Sequence, residues 1–351
     1  MAETQTRRLQ QLLGIALPVI QAPMAGVQGS AMAAAVSAAG GLGSLPCAML
    51  GLATMRTELE AIRTRTDRPY NVNFFCHAAP EPSAEREAAW RAALSPYYRE
   101  FGIDMGAISA GPGRAPFSAE AADVLDDFKP AVVSFHFGLP SAALLARVKA
   151  WGSKILASAT TVEEARWLEA RGADAVIAQG VEAGGHRGMF LSDDLTSQAG
   201  TFALLPQIVR AVKLPVIAAG GIADAQGVAN AIALGAAGVQ TGTAYLLCPE
   251  ATTSAVHRAA LKSADARHTA LTNLFTGRPA RGIVNRIMRE LGPISAVVPA
   301  FPLATAAIAP LRAQAESRGS GDFSPLWSGE NTSGCREISA AQLTRELAAG
   351  L

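Results

Sequence analysis

Residues 175–188 read AVIAQGVEAGGHRG, a short apolar run closing on Gln179, then a loop with four glycines and two chemically useful side chains, Glu182 and His186. An apolar run of this length bounded by glycine suits a strand buried on both faces, as a parallel sheet requires. Glycine gives up more conformational entropy on folding than any other residue. So many in one loop imply a backbone that passes close to something flat or charged while presenting His186 to it. The same pattern recurs on both sides of this stretch. Strand patterns fall at 18–23, 41–45, 70–75, 131–137, 154–159, 175–179, 215–219 and 238–242, with helical patterns near 29–39, 51–66, 118–128, 141–151, 162–171, 201–212 and 224–235. Eight strands, each but the last followed by a helix, predict an α/β fold of the (β/α)8 TIM-barrel type. A doubly wound sheet is disfavoured, because no G-x-G-x-x-G follows the first strand.

Two stretches interrupt the repeat. Residues 77–117 form an insertion in the barrel domain (1–245), with a helix expected at 83–101 and a loop at 109–117. Residues 246–320 are expected to form a small, mostly helical subdomain on the substrate side. Residues 321–351 should return to the barrel, with helical spacing at 336–349 supplying its closing helix. A chain of 351 residues fits one large domain plus such an appendage. Half the residues are apolar, 17% are charged and the formal net charge is +1, which argues against disorder and against nucleic acid or an anionic membrane as partner. Cys47, Cys76, Cys248 and Cys335 form no C-x-x-C pair, so neither a metal site nor a disulfide framework is expected, and a reducing cytoplasm is the simplest home. The apolar N-terminal stretch is broken by Gly14 and Pro18 and reads as a capping helix and the first strand, not a signal peptide; no run reaches membrane-spanning length.

In a barrel of this type chemistry collects where strands end. Gly220 and Gly221 follow one such strand, and Gln240, Thr241, Gly242 and Thr243 fall at the next. Either pair alone is explained by a tight turn. Both together, at the positions where barrels hold phosphate on backbone N–H groups, favour a phosphate site. With no metal cage or P-loop in the chain, the phosphate belongs to an organic cofactor or substrate. The amides of Asn73 and Gln179 suit the edge of a heterocycle, and Ala22, Pro23 and Met24 could pad a ring face, with Gly184 and Gly185 beside them. The set reads as a flavin mononucleotide (FMN) site. His186 faces that ring as a base or a hydrogen-bond partner for a substrate anion. Glu182 either orients His186 or caps the next helix. His136 is the second candidate, since strand alternation puts it with Ser134 on one face and Phe135 with Phe137 on the other. Arg278 and Arg281 either meet an anionic substrate or form surface ion pairs. His77 reads as structural, His257 and His268 as solvated helix residues. Cys47 and Cys76 have no base beside them to make a nucleophile.

Taken together, QAPMAGV (21–27), AAGGLGSL (38–45), NVNFF (71–75), QGVEAGGHRG (179–188), PVIAAGGI (215–222), QTGTAYLLCPEA (240–251) and LFTGRPARGIVNR (274–286) resemble the nitronate monooxygenase family, formerly called 2-nitropropane dioxygenase. The resemblance implies a (β/α)8 barrel with non-covalent FMN and a smaller domain over its mouth. It also implies oxidation of alkyl nitronates, with neutral nitroalkanes as a further candidate substrate class, by O2 to a carbonyl compound and nitrite. The family's histidine falls on His186, and its FMN contacts on Met24, Asn73, Gln179, Gly184, Gly221 and 240–243. A monomer or homodimer acting on a small nitronate is the partner set implied. The segment 325–331 (PLWSGEN) places Glu330 where the family usually has glutamine, and an acid touching the flavin would disfavour a negatively charged reduced form. Two rival readings stand beside this one. The first is an FMN-dependent NAD(P)H reductase of the same superfamily, of the enoyl-ACP or quinone type, although no basic patch for a carrier protein is evident. The second is a flavin-free barrel that binds a phosphate ligand.

Overall fold

The computed structural model describes residues 2–108 and 114–351, so the loop expected at 109–117 lies partly outside the described residues. Its strands, in chain order, are β1 (Val19–Gln21), β2 (Gly43–Pro46), β3 (Tyr70–Phe75), β4 (Val132–His136), β5 (Lys154–Ala159), β6 (Ala175–Gln179), β7 (Gly185–His186), β8 (Val216–Ala219), β9 (Gly238–Thr241), β10 (Thr269–Thr272) and β11 (Ala280–Ile283). Eight of them form one parallel sheet in the order β1-β9-β8-β6-β5-β4-β3-β2. It closes into a barrel where Gln21 donates to the Leu42 carbonyl and Leu42 to that of Val19, both at 2.9 Å.

These strands read as continuous apolar runs because both of their faces are covered. One set of side chains, among them Ile20, Val132, Leu156, Ile177 and Ile217, fills the barrel interior. Helix Ala2–Leu13 plugs the N-terminal end by adding Leu9 and Leu13 to that cluster. Each such burial contributes roughly 1.5–3 kcal/mol. The opposite face packs on the surrounding helices. Helix Ala340–Leu347 completes the ring, with Ala340, Leu343 and Leu347 joining the outer core and Thr344 bonding the buried Tyr245 hydroxyl at 2.9 Å.

The segments outside the repeat pack on one another. Helix Ala84–Phe101 of the insertion shares a core with helix Thr305–Ser317, through Trp90, Leu94 and Tyr98 against Ala307, Ile308 and Leu311. The smaller unit is thus assembled from a segment inserted within the barrel sequence and one that follows it. Nor is 246–320 only helical. It carries a hairpin, β10–β11, whose second strand pairs antiparallel with β7, placing Ala280 opposite His186 and Arg281 opposite Gly185. Both hairpin strands are four residues long. Strands so short have too little alternation to be read from sequence.

Candidate active site

A cleft with about 1360 Å³ of empty space, counting the solvent at its mouth, opens at the C-terminal ends of the barrel strands. Its wall brings together Ala22, Pro23, Met24, Asn73, Gln179, Gly184, Gly185, Gly220, Gly221, Gln240, Thr241, Gly242 and Thr243, with His136 and His186.

Arg278 and Arg281 are not part of that wall. The Arg278 guanidinium donates to the Met189 carbonyl and lies 4.2 Å from the Phe137 ring centroid. Arg281 donates to the Val181 carbonyl at 2.8 Å and pairs with Glu330 at 3.0 Å. This pair ties the 180–185 loop to the C-terminal segment and sets a cation against the Glu330 carboxylate.

The glycines of that loop have a cause beyond ligand approach. A Cβ on Gly180 would lie 2.0 Å from Thr201 Oγ1, and one on Gly184 would lie 2.5 Å from the Gly329 amide nitrogen. The loop is pressed against its own chain. Glu182 settles as a helix cap: its carboxylate accepts the Thr201 amide at 2.8 Å and the Thr201 hydroxyl at 2.8 Å, at the start of helix Thr201–Ala211.

The His186 backbone is held from two directions. Gln179 Nε2 donates to its carbonyl at 3.0 Å, while Gln179 Oε1 accepts the Gly188 amide at 2.7 Å. His136 Nε2 lies 3.1 Å from the same carbonyl, and a carbonyl only accepts, so His136 carries its proton there. His136 Nδ1 then accepts from the Ser158 hydroxyl at 3.0 Å. Burial pushes His136 down to about 4, so it stays neutral. With both ring nitrogens occupied, it positions the neighbouring histidine.

The His186 ring is partly exposed, toward the cleft, and enclosed by aromatic groups. Ring centroids of Phe301, Trp327, Phe75 and Phe137 lie 5.4, 5.5, 6.0 and 6.1 Å away. Phe137 was expected on the opposite face from His136, yet their centroids are 4.5 Å apart. The reason is a φ of 70° at Phe137, in the left-handed region an aromatic residue seldom adopts, which ends the alternation of β4. Burial, then the positive charge of Arg114, holds His186 well below the ordinary histidine range.

Sequence reasoning missed two cations. Arg114 lines the cleft, donates to Thr305 Oγ1 at 3.1 Å and has no carboxylate partner among the described residues. It sits in a Gly/Pro-rich loop with no periodic signal. Arg187 is fully buried; its guanidinium donates to the Gly180 carbonyl at 2.6 Å, the Gln179 carbonyl at 2.7 Å and Gln198 Oε1 at 2.9 Å. Its position directly after the GGH element was the available signal. His257, expected in solvent, is buried and lies 3.1 Å from the Trp327 carbonyl. His77 packs 4.8 Å from Phe301, and His268 is exposed. Burial pushes the Cys47 and Cys76 thiols up, away from nucleophilic use.

FMN fits these residues on the cleft's own chemistry. Gln240 Oε1 is buried with no hydrogen-bond partner among the described residues, an acceptor available to a ring N–H. The amides of Gly221 and Ile222 form no backbone hydrogen bond among those residues, leaving donors for a phosphate. Among the described residues no group of three His, Cys, Asp or Glu could hold a metal, and no helix is long and apolar enough to cross a membrane.

The family model described as nitronate monooxygenase matches residues 6–350. A nitronate monooxygenase of Pseudomonas aeruginosa is 42% identical, with 97% of this chain and 98% of that protein covered. Another, of Paraburkholderia phytofirmans, is 42% identical, with 98% and 95% covered. Among solved structures, nitroalkane oxidase from Streptomyces ansochromogenes superposes with a TM-score of 0.88 at 40% identity, over 97% of this chain and 96% of that one. FabK from Thermotoga maritima follows the same fold with a TM-score of 0.69 at 28% identity, covering 97% and 94%.

Proposed function

Because the chain belongs to the nitronate monooxygenase family, we propose that it oxidises alkyl nitronates with O2 to a carbonyl compound and nitrite, using FMN held in the cleft. Neutral nitroalkanes enter the same reaction after loss of a proton. The observation that carries this reading is the pairing, in one aromatic-walled cleft, of a neutral imidazole with a guanidinium that has no carboxylate partner among the described residues.

Backbone groups of Gly220–Gly221 and Gly242–Thr243 would hold the phosphate, Gln240 and Asn73 the ring edge, and Ala22–Met24 a ring face. FMN bound there would supply the redox chemistry that links the nitronate to O2. The chain's own residues prepare the substrate. His186 takes a proton from the carbon beside a nitro group. Arg114 holds the oxygens on which the negative charge then sits. A weak base suffices because the new anion stabilises the new imidazolium beside it. Phe75, Phe137, Phe301 and Trp327 exclude water, so each charge acts through a low dielectric.

The direct test is to release the cofactor by heat, identify it by mass, and assay ethylnitronate for O2 uptake and nitrite. FMN with stoichiometric nitrite is expected. NADH oxidation without nitrite would move the chain to the reductase branch, and a colourless protein that cannot be reconstituted would make it a flavin-free barrel. For Arg114→Gln, KM for ethylnitronate should rise about 10–100-fold, since a hydrogen bond to a charged group contributes about 1.5–3 kcal/mol. An unchanged KM in steady-state O2 uptake would remove Arg114 from the binding role.

A further inference from the structure

Thr276 stands outside the cleft wall and is 1% exposed. Its hydroxyl oxygen lies 2.9 Å from His186 Nε2 and donates to the Arg278 carbonyl at 3.4 Å, while the Arg278 amide approaches the same oxygen at 3.5 Å. The turn that presents it is held by the Gly277 amide on the Asn273 carbonyl at 2.8 Å.

A hydroxyl has one proton and two lone pairs, and a carbonyl can only accept. In the arrangement with the Thr276 proton on the Arg278 carbonyl, its lone pairs face His186 Nε2, and Nε2 is the donor. A neutral imidazole has one N–H, so the acceptor lone pair falls on Nδ1. That atom has no hydrogen-bond partner among the described residues, and the ring forms part of the cleft wall. We propose that Thr276 fixes the Nε2–H tautomer of His186 and so makes Nδ1 the atom that accepts the substrate proton.

The inference rests on the reading of His186 as the base for neutral nitroalkanes. In that step the C–H bond beside the nitro group breaks and its electron pair stays on the substrate, giving the nitronate. The proton forms a bond to Nδ1. The resulting imidazolium keeps Nε2–H on Thr276, so the ring does not turn between the two states. Thr276 is a positioning residue: it lies outside the cleft wall and acts through His186.

The test uses holoenzyme labelled with 15N-histidine, with the His186 signals identified by their loss in His186→Asn. Long-range 1H–15N spectra at neutral pH should show His186 protonated on Nε2 in the parent and in Thr276→Ser. Thr276→Val, which cannot accept, should show a mixture with Nδ1–H. In the same proteins, Thr276→Val should lose roughly tenfold more activity on nitroethane than on ethylnitronate, and Thr276→Ser should restore the ratio. Nδ1–H in the parent would overturn the proposal, as would equal losses on both substrates, which mark a structural role. If the parent does not act on ethylnitronate at all, the functional reading fails instead, while the spectra still decide the tautomer.

Discussion

His186→Asn loses activity on neutral nitroalkanes by about 10²–10⁴-fold, the usual contribution of a positioned general base, while keeping its flavin and much of its activity on preformed nitronates. The asymmetry follows from where the side chain sits. Its ring lines the cleft, but its backbone belongs to β7 and is held by Gln179 and His136 through the carbonyl. Asparagine leaves that backbone bonding intact and removes the ring, and with it the atom that accepts a proton. A nitronate arrives already deprotonated and does not need it. The comparison is kcat/KM for nitroethane against ethylnitronate, with flavin content measured in parallel. Full activity on nitroethane would remove His186 from the role of base.

The pH dependence carries a sign. Burial, then Arg114, lowers the pKa of His186, so the base form is the neutral ring and is retained as pH falls through the ordinary histidine range. Parent activity on nitroethane therefore should not fall with a midpoint near 6.5 from this group; the fall belongs at lower pH. A midpoint near 6.5 that vanishes in His186→Asn would show the ring to be less desolvated than its surroundings imply.

Arg187→Met destabilises the protein by about 4 kcal/mol and empties the cleft of flavin. Methionine replaces the volume of the side-chain stem but donates nothing. The Gln179 carbonyl and half-buried Gln198 Oε1 would then lose their guanidinium donors, at about 1–3 kcal/mol each before relaxation, and the Gly180 carbonyl would keep only the Ala183 amide. Among the described residues no carboxylate forms an ion pair with Arg187, and burial lowers its pKa to about 10, so it remains a cation at neutral pH. Those carbonyls set the path of the chain from β6 into the loop that carries His186, so the loss reaches the site as well as stability. Urea denaturation read against flavin fluorescence measures both. Arg187→Lys keeps the charge without the planar fork and should fall between. A methionine variant as stable as the parent would mean that these acceptors find water.

The barrel was legible because its signals are local. β3, β5 and β6 occupy the spans read from their apolar runs, since a strand covered on both faces has no polar position to blur it. The phosphate-side glycines were legible for a related reason: a turn that offers backbone N–H groups must be built from residues that leave room for the ligand. The substrate end was not. Phe301, Trp327, Thr276 and Arg114 reach His186 from segments far apart in the chain, and no local spacing ties any of them to it.

By itself, then, the sequence determined the eight-stranded parallel architecture, the family and the residues at the strand ends, because periodicity and turn chemistry act over a few neighbouring residues. Only the tertiary structure decided what those residues do. It made Glu182 a helix cap, turned His136 into a support, set Arg281 on Glu330 and placed Thr276 against His186. Each of these outcomes depends on which lone pair or proton a side chain has left once its partners are chosen, and those partners are brought together by packing across the whole chain.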